Sequence, residues 1–300
     1  IVSLLAIMTA TTLGGCHFLH LQLHESTQAI SVPHLPGTAL HVKTTNGAIA
    51  VHHHDGPDVE ILAHIKAVSP ERLAVVRVVT ERGEDNALNV HVDWPDGRRR
   101  NREGCGFEIL VPDTNGVVLK TSNGQLTISG CSGPADLKTS NGKVTASDHV
   151  GSLVARTSNG RIEATRIIGS VEVASSNGAI QVEDAMSSVS AETSNGSIEI
   201  RLHDESTGPV FCDTSNGSID LTLGAMFVGE LTAKTSNRSV ELENLHDTEV
   251  LSKSKTRAHL IVGQPVHKST IKTSNGTIRV RQRLELLPAL SGEVPAEAAH

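Results

Sequence analysis

From Val117 to Val280, apolar and polar residues alternate in short runs, and the same polar tetrad interrupts run after run. Thr-Ser-Asn-Gly begins at Thr121, Thr139, Thr157, Thr193, Thr214 and Thr273, with variants at Ser175, Thr235 and, far upstream, Thr44. Asn123, Asn141, Asn159, Asn177 and Asn195 follow one another at intervals of 18; Asn216 and Asn237 each come after 21, and Asn275 after 38. That last gap fits one degenerate copy with Arg257 in the asparagine place. Four residues before the asparagines stand Leu119, Leu137, Ala155, Val173, Ala191, Cys212, Ala233 and Ile271; three after them stand Leu126, Val144, Ile162, Ile180, Ile198, Ile219, Val240 and Ile278. A period of two within each arm is that of a half-buried strand. Each copy reads strand, Asn-Gly corner, strand, second turn.

Asn-Gly between alternating strands also signals a hairpin, so an antiparallel meander must be weighed. Turns on one edge of a meander recur every second strand, roughly 9.5 Å apart, and nothing there rewards identical side chains. In a parallel coil, equivalent residues lie about 4.8 Å apart and like amides can pass hydrogen bonds along a ladder. The conserved spelling of the tetrad therefore predicts an all-β chain. The expected fold is a right-handed parallel β-solenoid, or β-helix, of about nine rungs with a small N-terminal β-rich cap. Asn123, Asn141, Asn159, Asn177, Asn195, Asn216, Asn237 and Asn275 form the expected structural corner ladder. The corner Asn or Gly is expected in a left-handed backbone, and Asn237-Arg238 in a locally altered corner. The threonine two before each asparagine has inward parity and is expected to bind corner backbone.

The remaining segments read differently. Residues 1–15 hold an uncharged apolar run too short to span a bilayer, as in an export signal. Residues 16–37 read as a linker, 38–116 as the cap and first strands, 117–282 as the solenoid and 283–300 as a tail. Ser69-Pro70-Glu71 opens a predicted short helix.

Leu13-Gly14-Gly15-Cys16 resembles the bacterial lipobox. That resemblance implies diacylglycerol on Cys16, hence an extracytoplasmic chain whose membrane contact is an N-terminal lipid on the outer membrane or cell surface. Cys105, Cys131 and Cys212 would follow, an odd set that leaves at least one thiol unpaired.

Composition narrows the function. Twenty-six Lys plus Arg against 33 Asp plus Glu give a formal net charge of −7, and the chain has four Phe, one Trp and no Tyr. Nucleic acid is thereby disfavoured as a partner. Arg98, Arg99, Arg100 and Arg102 form a possible anion-binding run, weighed against a solvated hairpin tip flanked by Asp96 and Glu103. His52 and His54 share a strand face and are weak metal candidates, but two ligands fall short of the three or four a site needs. No metal, cofactor or catalytic residue is expected.

The recurring Lys-Thr-Ser-Asn-Gly-x-Ile/Val, as at Lys138–Val144 and Lys272–Ile278, resembles the bacterial putative adhesin repeat family, related to autotransporter-like adhesin heads. The likeness covers roughly residues 38–282 and brings no active site with it. It implies a non-catalytic envelope scaffold or adhesin whose partners are envelope glycans or other surface proteins. Two alternatives remain: a polysaccharide-binding or polysaccharide-lyase-like coil, and an envelope-stress sensing module. A lyase would need a cleft on the coil's flank gathering three or more carboxylates.

Overall fold

The computed structural model describes residues 23–283. Cys16, the apolar leader and the tail beyond 283 lie outside the described residues. Nearly every element is a strand, and the strands form two long sheets. The chain crosses between the sheets at each Asn-Gly corner and returns at each second turn.

In the middle of the stack each copy gives one strand to each sheet. Ala135–Lys138 lies parallel and in register between Val117–Lys120 and Leu153–Thr157. Val144–Val150 lies in the same way between Leu126–Ser129 and Ile162–Ile168. Side chains therefore line up in columns, and the inward columns are aliphatic. Leu119, Leu137, Ala155, Val173 and Ala191 are buried from one sheet, against Leu126, Val144, Ile162, Ile180 and Ile198 from the other. Removing this apolar surface from water, at roughly 25 cal/mol per Å², drives the stacking. The two sheets enclose a thin core, which is why so few aromatics suffice.

Chain order and stacking order part at both ends. Leu40–Lys43 and Ile49–His53 make the Asn46 rung, which lies directly against the Asn123 rung. Two later segments, Leu88–Asp93 and Gly104–Val111, pair outside the Asn46 rung. Antiparallel strands then finish this end: Asp58–Ala67 and His24–Pro33 on one sheet, Arg77–Arg82 on the other. At the far end, Lys268–Thr273 and Ile278–Gln282 insert between the Asn216 and Asn237 rungs. The final rung in sequence is thus the penultimate one in space.

Four expectations need correction. Arg257 does not occupy a corner: Arg257–Val262 runs antiparallel to Gly229–Thr235 and forms a hairpin with Thr248–Lys253. The gap of 38 is an inserted hairpin, not a missing rung. Residues 16–37 were expected as linker, yet His24–Pro33 is a ten-residue strand with alternating exposure that registers fully against Asp58–Ala67.

The corner asparagines are not left-handed, and among the corner glycines only Gly47 has a positive φ, at 154°. Glycine is required there by close approach instead. A Cβ on Gly142 would lie 1.8 Å from Gly124 O, and one on Gly178 1.7 Å from Gly160 O. The alteration expected at Asn237-Arg238 does not reach the asparagine, whose backbone N–H still meets Ser274 O at 3.0 Å.

Candidate functional site

The most regular constellation is the corner. Asn123 Nδ2 donates to Asn46 Oδ1 at 2.7 Å, Asn141 to Asn123 at 2.8 Å, Asn159 to Asn141 at 2.7 Å, and Asn177 to Asn159 at 2.8 Å. The line continues from Asn195 to Asn177, from Asn216 to Asn195, from Asn275 to Asn216 and from Asn237 to Asn275. All eight residues of the expected ladder stand in it, together with Asn46. Beneath it, buried hydroxyls fix the backbone: Thr139 Oγ1 donates to Gly124 O at 3.0 Å, Thr193 to Gly178 O at 3.0 Å and Thr273 to Gly217 O at 2.8 Å. Each rung is tied to the previous one by an amide and a hydroxyl in addition to the sheet. These bonds satisfy one another within the protein.

The ladder's donor end stops at Asn46, whose Nδ2 meets Glu103 O at 3.1 Å. Here the arginine run differs from a solvated tip with carboxylates on both sides. Glu103 is wholly buried and takes Arg72 Nε at 2.7 Å and Nη2 at 2.9 Å, along with the N–H groups of Arg100 and Val68. Burial works against the charged carboxylate, but these bonds outweigh it and hold the Glu103 pKa down at about 2. Arg72 reaches Glu103 from the helix Pro70–Val75, which Ser69 caps by accepting Arg72 N–H. Arg99 bends back to the carbonyls of Arg100 and Glu103, while Arg98 and Arg100 project into solvent.

His52 and His54 do not converge. His54 lies past the end of Ile49–His53, and its Nε2 meets Asp58 O at 2.9 Å. Among the described residues no three His, Cys, Asp or Glu form a metal-ligating group. Cys105, Cys131 and Cys212 are buried free thiols, and burial pushes the first two up to about 12 and about 11. They are inert fillers of the core.

A groove that periodicity did not announce lies along the second turn. It encloses about 500 Å³. Asp148, Arg166 and Asp184 stack along it with left-handed backbones, φ 53°, 53° and 52°. Beside them runs an apolar ledge of Val150, Ile168 and Met186, the first two just over half exposed at 53% and 52%. Asp148, Asp184 and Asp204 supply three carboxylates, but cations interleave them. Arg166 holds Asp148 through two bonds at 2.6 and 2.8 Å, and Arg283 lies 3.4 Å from Asp184 and 3.6 Å from Asp204. The Arg166 bond keeps the Asp148 pKa below its ordinary value. Carboxylates committed in this way form no calcium cage of the kind a lyase needs.

Under this groove His149 is fully buried, and among the described residues neither ring nitrogen has a hydrogen-bond partner. Burial lowers its pKa, and the nearby backbone of Ser152, Cys131 and Gly133 opposes that shift.

The profile of one family, Toastrack DUF4097, matches residues 29–281. The chain belongs to this family. Among solved structures, a putative adhesin from Bacteroides fragilis aligns over 86% of this chain and 97% of its own, at 16% identity and a TM-score of 0.51. A putative lipid binding protein from Parabacteroides distasonis covers 87% and 97% at 12% identity, with a TM-score of 0.41. A putative adhesin from the same organism covers 86% and 97% at 8% identity, with a TM-score of 0.31. At such identities the first of these likenesses shows the fold alone, and the two weaker ones carry no argument. No curated protein matches the sequence. Among the described residues no helix is long and apolar enough to cross a membrane.

Proposed function

We propose that this Toastrack chain is a non-catalytic adhesin-like module of the bacterial cell envelope, held outside the cytoplasm by lipid on Cys16. The observation that carries this reading is the in-register stack itself. Two sheet faces present outward side chains in registered columns at a pitch of about 4.8 Å, a surface suited to many weak, repeated contacts. The adhesin name of the Bacteroides fragilis neighbour agrees with that use. The leader ending in Gly15-Cys16 supports export and acylation.

Expression of the gene with its native start in a bacterial host, labelled with an alkyne fatty acid, tests the anchor. Label should appear in the wild type and vanish in Cys16→Ser. The adhesive role is tested by coating beads with the chain from His17 onward and scoring their retention on envelope polysaccharide or on whole cells. Retention no greater than that of beads coated with an unrelated acidic protein would overturn the reading.

The second-turn groove supplies the one observation for a rival, a coil acting on acidic polysaccharide: three aspartates line it, although Arg166 and Arg283 already pair with them. Release of new reducing or unsaturated ends from polyuronate, abolished by Asp184→Asn, would establish that activity.

A further inference from the structure

The outward face of one sheet carries a column whose charge the sequence scatters over more than a hundred residues. Parallel register sets Lys43 beside Lys120, Lys120 beside Lys138 and Lys138 beside Arg156. All four side chains are exposed. At one end the column continues to His91, and the strand carrying His91 leads into the loop that bears Arg98 and Arg100, both pointing into solvent. The four adjacent cations span about 14 Å along the stacking axis.

Like charges directly opposite one another in a sheet destabilise it. Compensation here is thin: Lys120 lies 4.0 Å from Asp136, and Arg156 pairs with Glu172. Lys43 and Lys138 have no ion-pair partner among the described residues. The outward face of the other sheet is the reverse case, with its charges matched pair by pair: Lys143 with Glu163 at 2.6 Å, Arg201 with Glu183 and Glu199, Arg279 with Glu241. Farther along the basic column itself the pattern breaks to Ala174, Glu192 and Asp213. Beyond Asp213 the column turns basic again in a shorter run of Lys272, Lys234 and Arg257, so the four cations from Lys43 to Arg156 are its longest unbroken basic run among the described residues, in a chain that is acidic overall.

We infer that this column, Lys43, Lys120, Lys138 and Arg156 with the Arg98–Arg100 loop at its head, binds a linear acidic polysaccharide laid along the stacking axis. Two residues beyond Lys43, Lys120, Lys138 and Arg156, on the same outward parity, stand Thr45, Ser122, Ser140 and Ser158, followed by the ladder amides of Asn46, Asn123, Asn141 and Asn159. Each of these four rungs thus offers one cation and one hydroxyl at a constant pitch, the repeat that a polymer with one carboxylate and several hydroxyls per sugar ring can match. Lysines act as single point charges, suited to isolated carboxylates. Single-stranded nucleic acid would need aromatic platforms for its bases. Among the described aromatics Phe107 and Phe227 are buried, Trp94 packs against the core, and Phe211 alone is exposed. The inference rests on the adhesive reading and names the ligand class for it.

The test is equilibrium binding of the full chain to polygalacturonate, with hyaluronate, which has half the carboxylate density, neutral dextran and single-stranded DNA as comparators, each at low and at physiological salt. Polygalacturonate is expected to bind most tightly and to weaken as salt rises, because exposed charges are screened within about 8 Å at physiological ionic strength. Lys120→Ser with Lys138→Ser should lower its affinity about tenfold, from two point charges worth about 0.7 kcal/mol each. Lys234→Ser with Lys272→Ser, a basic pair at the far end of the same face, should change it less than about twofold. Thermal unfolding should show the first double variant no less stable than the wild type, since it relieves repulsion. Asp136→Asn should tighten binding.

Unchanged affinity in Lys120→Ser/Lys138→Ser, or DNA binding as tight as polygalacturonate, overturns the inference. Dextran binding of equal strength overturns it too while leaving the adhesive reading intact. Failure to bind any polysaccharide or cell surface removes both.

Discussion

The middle of the stack and its two ends obey the same rung chemistry but different topologies. Between Val117 and Leu223 each rung lies on the one that precedes it in sequence. At both ends a rung is displaced: Leu88–Val111 lies outside Leu40–His53, and Lys268–Gln282 lies inside Gly229–Glu243. The Asn-Gly corner is indifferent to this change. Asn275 donates to Asn216 and receives from Asn237 as though the three were consecutive. The difference teaches that the tetrad specifies a place within a rung and leaves open which rung comes next. Displacement also staples the ends, because a segment clasped on both sides frays less readily than a terminal repeat.

The largest expected effect follows from that stapling. Ending the chain after His267 withdraws two strands from between their neighbours, and should cost on the order of 5 kcal/mol or more of stability. Limited proteolysis should then open the region from 208 to 267. If the stack simply followed sequence, the same deletion would trim one terminal rung and leave the remainder protected.

At the opposite end, Glu103→Gln leaves Arg72 buried without its partner and is expected to cost about 3–5 kcal/mol, read by urea unfolding. The pH dependence has a definite sign. The Glu103 pKa is lowered from 4.5 to about 2 on folding, so its stabilisation is complete above 4.5 and disappears as pH falls through about 2. The variant should lack that loss.

Within the middle, Gly160→Ala would force a Cβ to within 1.8 Å of Gly142 O, a clash with backbone that cannot swing aside. A loss of about 3 kcal/mol is expected. The same substitution at Gly37, where a Cβ meets nothing within 4 Å, tests only its left-handed φ of 69° and should cost about 1 kcal/mol.

A finer test compares the ladder links themselves. A double-mutant cycle of Asn216→Ala and Asn275→Ala should give a coupling of about 1 kcal/mol, and one of Asn216→Ala and Asn237→Ala a coupling near zero. The reverse ranking would restore sequence order to the C-terminal end.

The smallest effect belongs to His149. Its pKa is lowered from 6.5 in the fold, so below 6.5 the unfolded chain takes up a proton that the folded one does not, and stability declines with falling pH. His149→Leu should remove this slope and, by deleting two unsatisfied nitrogens, gain about 1 kcal/mol near neutrality.

Legibility in the sequence followed periodicity. The inward aliphatic columns, the parity of the buried threonines and the Ser69 helix cap could be read because each is local and repeats or carries its own signature. Arg72 and Glu103 are thirty-one residues apart with no pattern linking them, so their pairing was invisible and Glu103 passed for a solvent-exposed flank. The groove was missed for a related reason. Asp148, Arg166 and Asp184 keep the eighteen-residue spacing, yet differ in charge, and only their shared left-handed bulge marks them as one column. Asn46 was visible as a variant tetrad, but 77 residues separate it from the asparagine it bonds.

By itself the sequence determined the unit: two strands, an Asn-Gly corner, an inward aliphatic row and an amide set to meet its copies. Those follow from side-chain alternation and short-range sterics, which act within a single rung. The tertiary structure decided the order of the rungs, the antiparallel strands that finish each end and the lysines brought side by side. These depend on which exposed strand edge a distant segment reaches, and edges built from identical rungs offer the same hydrogen bonds to any of them.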